Sequence, residues 1–199
     1  MKKLCIIIVV MAVAALAYAD SHSELIEYIN SAKSSASAKN YREAKQELQL
    51  ALQSISEIQL AALQKFLPSA PSGWREEEIE GGDVGAFGFG MLAGLTASKK
   101  YYQGEKEIII EIVTDSPMIG TLKVFFDNPL FLKSDPSSKI VTVNKQKALL
   151  KYDKEYLSGE LSMIIGMNLI TVKGNNGITA DELSMFMGKI DLDGISKDL

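Results

Sequence analysis

Glu76, Glu77, Glu78, Glu80 and Asp83 form the densest run of side chains in this sequence that could do chemistry. Two carboxyl groups can hydrolyse a glycosidic bond without a cofactor, one as acid and the other as base or nucleophile. That chemistry needs one carboxyl group held protonated near neutral pH, by burial or by a close charge. Adjacent glutamates on an exposed strand or loop instead form a solvated charged face, and nothing in the run singles one of them out. A cofactor-free hydrolase using the 76–83 segment is therefore the alternative function, not the leading one.

Other catalytic chemistries lack their residues. Cys5 is the only cysteine and His22 the only histidine. No Gly-x-Ser-x-Gly motif is present, and His22 would have to act as base from close to a chain terminus. Gly88-x-Gly90 lacks the third glycine of a dinucleotide-binding turn, and no Gly-Lys-Ser/Thr follows. Asp191-Leu192-Asp193-Gly194 begins like a calcium loop but lacks the spaced oxygen ligands and the closing glutamate, so it reads as a helix terminus. The expectation is no catalytic residue, no metal and no cofactor.

Binding chemistry is better supplied. Residues 81–94 read GGDVGAFGFGMLAG, six glycines in fourteen positions with Phe87, Phe89 and Met91 between them. Glycines let a backbone rearrange while aromatic rings supply contact area, so the segment fits an apolar lip that closes on a hydrophobic ligand or inserts into a membrane face. The blander reading, which we favour, is a wide connection whose few apolar side chains fold onto the domain. Trp74, the only tryptophan, follows Pro71 and Gly73; it could line a cleft or pin the linker to a core. Tyr101 and Tyr102 are adjacent in a strand-like stretch, so alternation sends one inward and the other toward solvent. Trp74, Phe87, Phe89, Met91, Tyr101 and Tyr102 are the candidate contact residues for a protein or an apolar ligand.

The N-terminus supplies an address. Lys2 and Lys3 precede an apolar run from Leu4 to Leu16, and Ala17-Tyr18-Ala19 forms a small-x-small site before Asp20. This pattern predicts a secretory signal peptide over 1–19, cut between Ala19 and Asp20; its apolar run is too short to span a bilayer comfortably. Cys5 would leave with it, and it lies too early to be a lipoprotein anchor. The expected location is periplasmic or secreted. The chain carries 21 basic and 25 acidic residues; without Lys2 and Lys3 the balance is 19 to 25. An acidic surface argues against nucleic acid as a general partner, and no transmembrane segment is expected in the mature chain.

These residues must be positioned by two kinds of element. Leu25, Ile26, Ile29, Ala32 and Ala36 recur at helical spacing, and so do Tyr41, Ala44, Leu48, Ala51, Leu52, Ile55, Ile58, Ala62 and Phe66. The pattern predicts a helical hairpin over 20–67, turning within 34–39. Pro68, Pro71 and Gly73 then open a second region, 68–199. Strands are expected over 96–102, 106–114, 139–143, 148–152, 160–165 and 169–173, with turns at Gln103-Gly104-Glu105, Asn144-Lys145, Ser158-Gly159 and Gly166-Met167. Ser116-Pro117 marks a helix start before Ile119, Leu122, Phe125 and Phe126. Thr179 and Glu182 have capping-box spacing ahead of Leu183, Phe186, Met187 and Ile190. The fold class is α+β, an N-terminal helical hairpin followed by an antiparallel sheet with two packed helices.

The segment Lys39-Asn40-Tyr41-Arg42-Glu43-Ala44, continuing to Ala51-Leu52, resembles the middle of one tetratricopeptide repeat, which implies close packing of two helices. The Tyr-x-x-Ala helix, Pro68-Ser69-Ala70-Pro71-Ser72-Gly73-Trp74, the glycine-rich stretch, Ala97-Ser98-Lys99-Lys100-Tyr101-Tyr102 and the Asp181-Glu182-Leu183 helix together resemble uncharacterised secreted proteins of Gram-negative bacteria. The strand-helix-strand order after Trp74 is similar to that of PsbP-like domains, which implies an accessory or binding role. None of these resemblances brings catalytic residues. The sequence therefore points to a non-enzymatic periplasmic binding or accessory protein.

Overall fold

The computed structural model describes residues 21–78, 94–114, 116, 119–127 and 137–198. Residues 1–19, the expected signal peptide, with the expected cleavage site, and Phe87, Phe89 and Met91, lie outside the described residues. The chain divides into two compact units, one reaching to Ala62 and one beginning at Leu63.

The first unit is a helical hairpin of α1 (residues 21–37) and α2 (Tyr41–Gln64), the latter ending just past the unit boundary. The turn between them is a Schellman closure. Lys39 takes a left-handed φ of 63°. The Asn40 amide donates to the Ser35 carbonyl at 2.8 Å, and that of Lys39 to Ala36 at 3.0 Å. Here the sequence expectation needs correcting. Ala32, Ala44, Ala51 and Ser54 are buried, but Tyr41 and Leu52 are 69% and 63% exposed, and Ile26, Ile29, Leu48 and Ile55 are exposed too. Helical periodicity finds the apolar stripe, yet two helices offer each other only a narrow seam, and the small residues occupy the buried positions.

In the second unit one seven-stranded antiparallel sheet runs β1 (Arg75–Glu78), β2 (Leu95–Gln103), β3 (Lys106–Thr114), β7 (Asn168–Asn175), β6 (Ser158–Ile165), β5 (Gln146–Asp153) and β4 (Ser138–Val143). Two meanders, β1 to β3 and β4 to β7, meet at the β3–β7 seam. There Glu107 to Thr114 pair with Asn175 to Asn168 in unbroken register. Isoleucines 108 to 110 and 112 are buried along this seam, as their near-continuous apolar run predicts.

Three hairpin turns fall where the sequence puts them: at Gly104 (φ 61°), at Asn144-Lys145 (φ 49° and 65°) and at Gly166 (φ 60°). Left-handed φ at both Asn144 and Lys145 suits a two-residue turn that matches strand twist. The fourth differs from expectation: Ser158 and Gly159 already belong to β6, opposite Asp153 and Tyr152. The turn is 154–157 instead, nucleated by Asp153, whose carboxylate accepts from the amides of Glu155 and Tyr156 at 2.8 and 3.0 Å. Gly159 is glycine for a different reason, since a Cβ there would stand 2.6 Å from the Lys151 carbonyl.

Helices cover both faces of the sheet. On one face α4 (Ala180–Lys189) packs against β6 and β7 and buries Leu183, Phe186 and Met187. Its capping box is formed as the sequence predicts. Thr179 Oγ1 accepts from the Glu182 amide at 3.2 Å, and Glu182 Oε2 accepts from the Thr179 amide at 2.8 Å. A short α5 (Leu192–Asp198) follows; Asp191 Oδ1 accepts from the Gly194 amide at 2.9 Å, so the 191–194 stretch is a helix terminus. On the opposite face α3 (Ile119–Asp127) sets Ile119 against Val113, Leu169 and Ile164. The architecture is α+β, two helices followed by an antiparallel sheet that carries helices on its faces.

Candidate functional site

Strand alternation separates the two candidate tyrosines. Tyr101 points to the α4 face and is fully buried, with its ring 4.9 Å from that of Phe186. Its hydroxyl donates to the Pro68 carbonyl at 2.6 Å. Burial, with the nearby Glu76 charge adding to it, pushes the hydroxyl pKa far above the usual tyrosine range. Trp74 meets the same Phe186 ring edge-on at 4.9 Å and 80°. Together these three rings pin the 68–74 stretch to α4. Tyr102 lies on the other face, half-buried, with the Arg75 guanidinium 6.0 Å from its ring centre.

Phe87, Phe89 and Met91 belong to the segment joining β1 to β2, and the structure describes its two flanks. β1 ends at Glu78, opposite Lys99, and β2 begins at Leu95. Gly94 sits so close to β3 that a Cβ would stand 2.5 Å from the Thr114 carbonyl, so this flank admits only glycine. Both ends of the segment are thus tied to neighbouring strands.

The acidic run is divided by β1. Glu76 faces the same side as Tyr101; it pairs with Lys99 at 3.7 Å and accepts from the Ala70 amide. Glu77 lies on the opposite face, across from Lys100, and is exposed. Glu80 and Asp83 lie outside the described residues. Alternation therefore keeps Glu76 and Glu77 from serving one bond together.

On the face away from α4 the register assembles a polar network that the sequence reading did not anticipate. Ser98, Glu111, Thr171 and Ser162 stand opposite one another across β2, β3, β7 and β6, and all four are buried. The next row is charged at every position but one: Glu77, Lys100, Ile109, Lys173, Glu160 and Lys151. Lys173 Nζ stands 3.1 Å from Glu111 Oε2, with side chains only 16% and 7% exposed. Burial pushes the Glu111 carboxyl pKa up; Lys173 opposes the rise and Glu160 adds to it. Ser162 Oγ donates to Glu160 Oε1 at 2.9 Å, whereas the buried Ser98 hydroxyl has no hydrogen-bond partner among the described residues. A shallow hollow of about 340 Å³ opens beside this row, lined by Lys151, Asp153, Glu160, Lys173 and Asn175 among others. The signal was a single glutamate inside Ile-Ile-Ile-Glu-Ile-Val, since a buried carboxylate needs a cationic partner on an adjoining strand.

Among the described residues no three His, Cys, Asp or Glu side chains gather as a metal site, and no helix is long and apolar enough to cross a membrane. No family model matches the sequence, and no curated protein does. Among solved structures, a protein of Bacteroides thetaiotaomicron is similar at 14% identity and a TM-score of 0.37. The match covers 61% of this chain and 42% of that one, so this chain spans less than half the length of the relative.

Proposed function

We propose that this chain is a non-enzymatic binding or accessory protein that contacts a protein or an apolar ligand. It would act in the periplasm or outside the cell once residues 1–19 are removed. The observation that carries the reading is the anchoring of the two flanks of the 79–93 segment. Trp74 and Tyr101 clamp the approach to β1 through Phe186, and Gly94 is held against β3. Contact residues presented between rigid strands are the usual design of a binding site. Phe87, Phe89 and Met91 would supply the apolar contact, with Tyr102 on the adjoining strand.

The carboxylate alternative has less support, because Glu76 and Glu77 face opposite sides of β1 and Glu76 is engaged by Lys99. Replacing Phe87 and Phe89 with alanine should abolish copurification of the partner or lipid while leaving the melting temperature unchanged. Replacing Glu76, Glu77, Glu78 and Asp83 with alanine should leave copurification intact. The opposite pattern overturns the reading.

A further inference from the structure

Among the described residues β1 and β4 are the two edges of the sheet, and they differ in kind. β1 is four residues long and carries three successive glutamates, a charged short strand of the sort that keeps edges unpaired. β4 at the other edge is Ser-Lys-Ile-Val-Thr-Val, six residues with four β-branched side chains, one charge and no proline. Ile140 is 39% exposed, and Lys139 and Thr142 are exposed.

The phase of the ladder shows which backbone groups face outward. Tyr152 donates its amide to the Ser137 carbonyl at 3.1 Å, one step beyond the Ser138–Lys151 pair. Hydrogen-bonded pairs alternate along an antiparallel ladder, so Lys139, Val141 and Val143 turn their peptide groups to β5. The N–H and C=O groups of Ile140 and Thr142 therefore point out of the sheet. The edge hairpin is also basic: Lys139 on β4 and Lys147 on β5 are exposed, and neither makes an ion pair among the described residues, whereas Lys151 stands opposite Glu160 and Lys145 shares a hollow with Asp191 and Asp193. Asp153, the one carboxylate between 138 and 154, is engaged by the amides of its own turn.

We propose that β4 accepts an acidic extended segment of a partner protein as an eighth strand. Alternating donors and acceptors along Ile140 and Thr142 suit a peptide backbone, and Lys139 and Lys147 select its charge. A second copy paired through its own β4 would bring two sets of lysines together, so like-charge repulsion disfavours it. The proposal does not involve Phe87 or Phe89, so it stands or falls separately from the ligand reading above.

The test uses a fluorescein-labelled ten-residue peptide of alternating valine and glutamate, titrated with the full mature chain and followed by anisotropy. Saturable binding that strengthens at low salt is expected, with no binding of the valine-lysine counterpart. Thr142→Pro removes an outward N–H, which an edge strand tolerates, and should weaken binding at least tenfold. The double variant Lys139→Glu with Lys147→Glu leaves the backbone untouched and should abolish the preference for the valine-glutamate peptide, so the test survives if the proline variant fails to fold. Binding by the lysines alone, unaffected by a folded Thr142→Pro, would overturn the proposal, as would no binding. A wild-type dimer in sedimentation that Thr142→Pro converts to monomer would assign the edge to a second copy and also overturn it.

Discussion

Lys173→Met should be among the most damaging single substitutions in the sheet. It leaves Glu111 in the β3–β7 seam with its side chain 7% exposed and its partner at 3.1 Å gone. Both groups are well shielded, so solvent screening weakens the pair little, and removing one member of such a buried pair costs about 3–5 kcal/mol. For a chain of this size that corresponds to a fall of roughly 10 °C in Tm. The loss should depend on pH. Burial raises the Glu111 pKa above its ordinary 4.5, so its contribution is complete below about 4.5 and is lost as pH rises through the raised native value. Lys173 holds that rise down, and without it the loss at neutral pH grows. The variant should therefore come closest to wild type below pH 4.5, where Glu111 is protonated in both states. The double variant Glu111→Leu with Lys173→Met should recover most of the stability at pH 7, because no charge is left stranded. The assay is urea unfolding at pH 7 and pH 4 for wild type, each single variant and the double. A Lys173→Met deficit below about 1 kcal/mol at pH 7, or one that does not shrink at pH 4, refutes the reasoning.

Other consequences are simpler to measure. Glu182 is partly desolvated, which raises its pKa, but hydrogen bonds from Lys106 and Thr179 outweigh this and hold it below 4.5. The stability it adds is present above 4.5 and lost as pH falls through the lowered native value, so a Glu182→Gln variant should differ from wild type at pH 6 and converge with it in acid. Tyr101→Phe leaves the Pro68 carbonyl without its donor and should lower stability by about 1–2 kcal/mol in denaturant unfolding. In an alkaline titration followed at 295 nm, Tyr101 should ionise only as the protein unfolds. Gly174→Ala would place a methyl 2.6 Å from Ile178 Cγ2 and 2.9 Å from Leu183 Cδ2, so overpacking should cost about 1–3 kcal/mol in thermal melts.

Local punctuation was legible wherever one residue decides the backbone. Thr179 with Glu182, Asn144 with Lys145, and the Gly104 and Gly166 turns fixed their elements from sequence alone. The Ser158-Gly159 turn failed because glycine answers two demands that look alike in sequence: a left-handed φ, and a close approach such as the one Lys151 makes here. The apolar stripe of α2 was found, but not its exposure, since periodicity gives direction around a helix and not the size of the surface that covers it. The pairing of β3 with β7, more than fifty positions apart, carries no local signature, and the Glu111–Lys173 contact follows from it. Of the candidate contacts, Trp74 and Tyr101 are packed on Phe186 and Tyr102 is turned to the opposite face. That separation is what alternation predicts for adjacent tyrosines.

Whether this chain binds or catalyses is tested most directly by native mass spectrometry of the protein isolated from its own compartment without denaturation. The account predicts the mature chain beginning at Asp20 with a partner protein or apolar ligand still attached. A bare chain in wild-type preparations, unchanged after Phe87 and Phe89 are replaced with alanine, would contradict it.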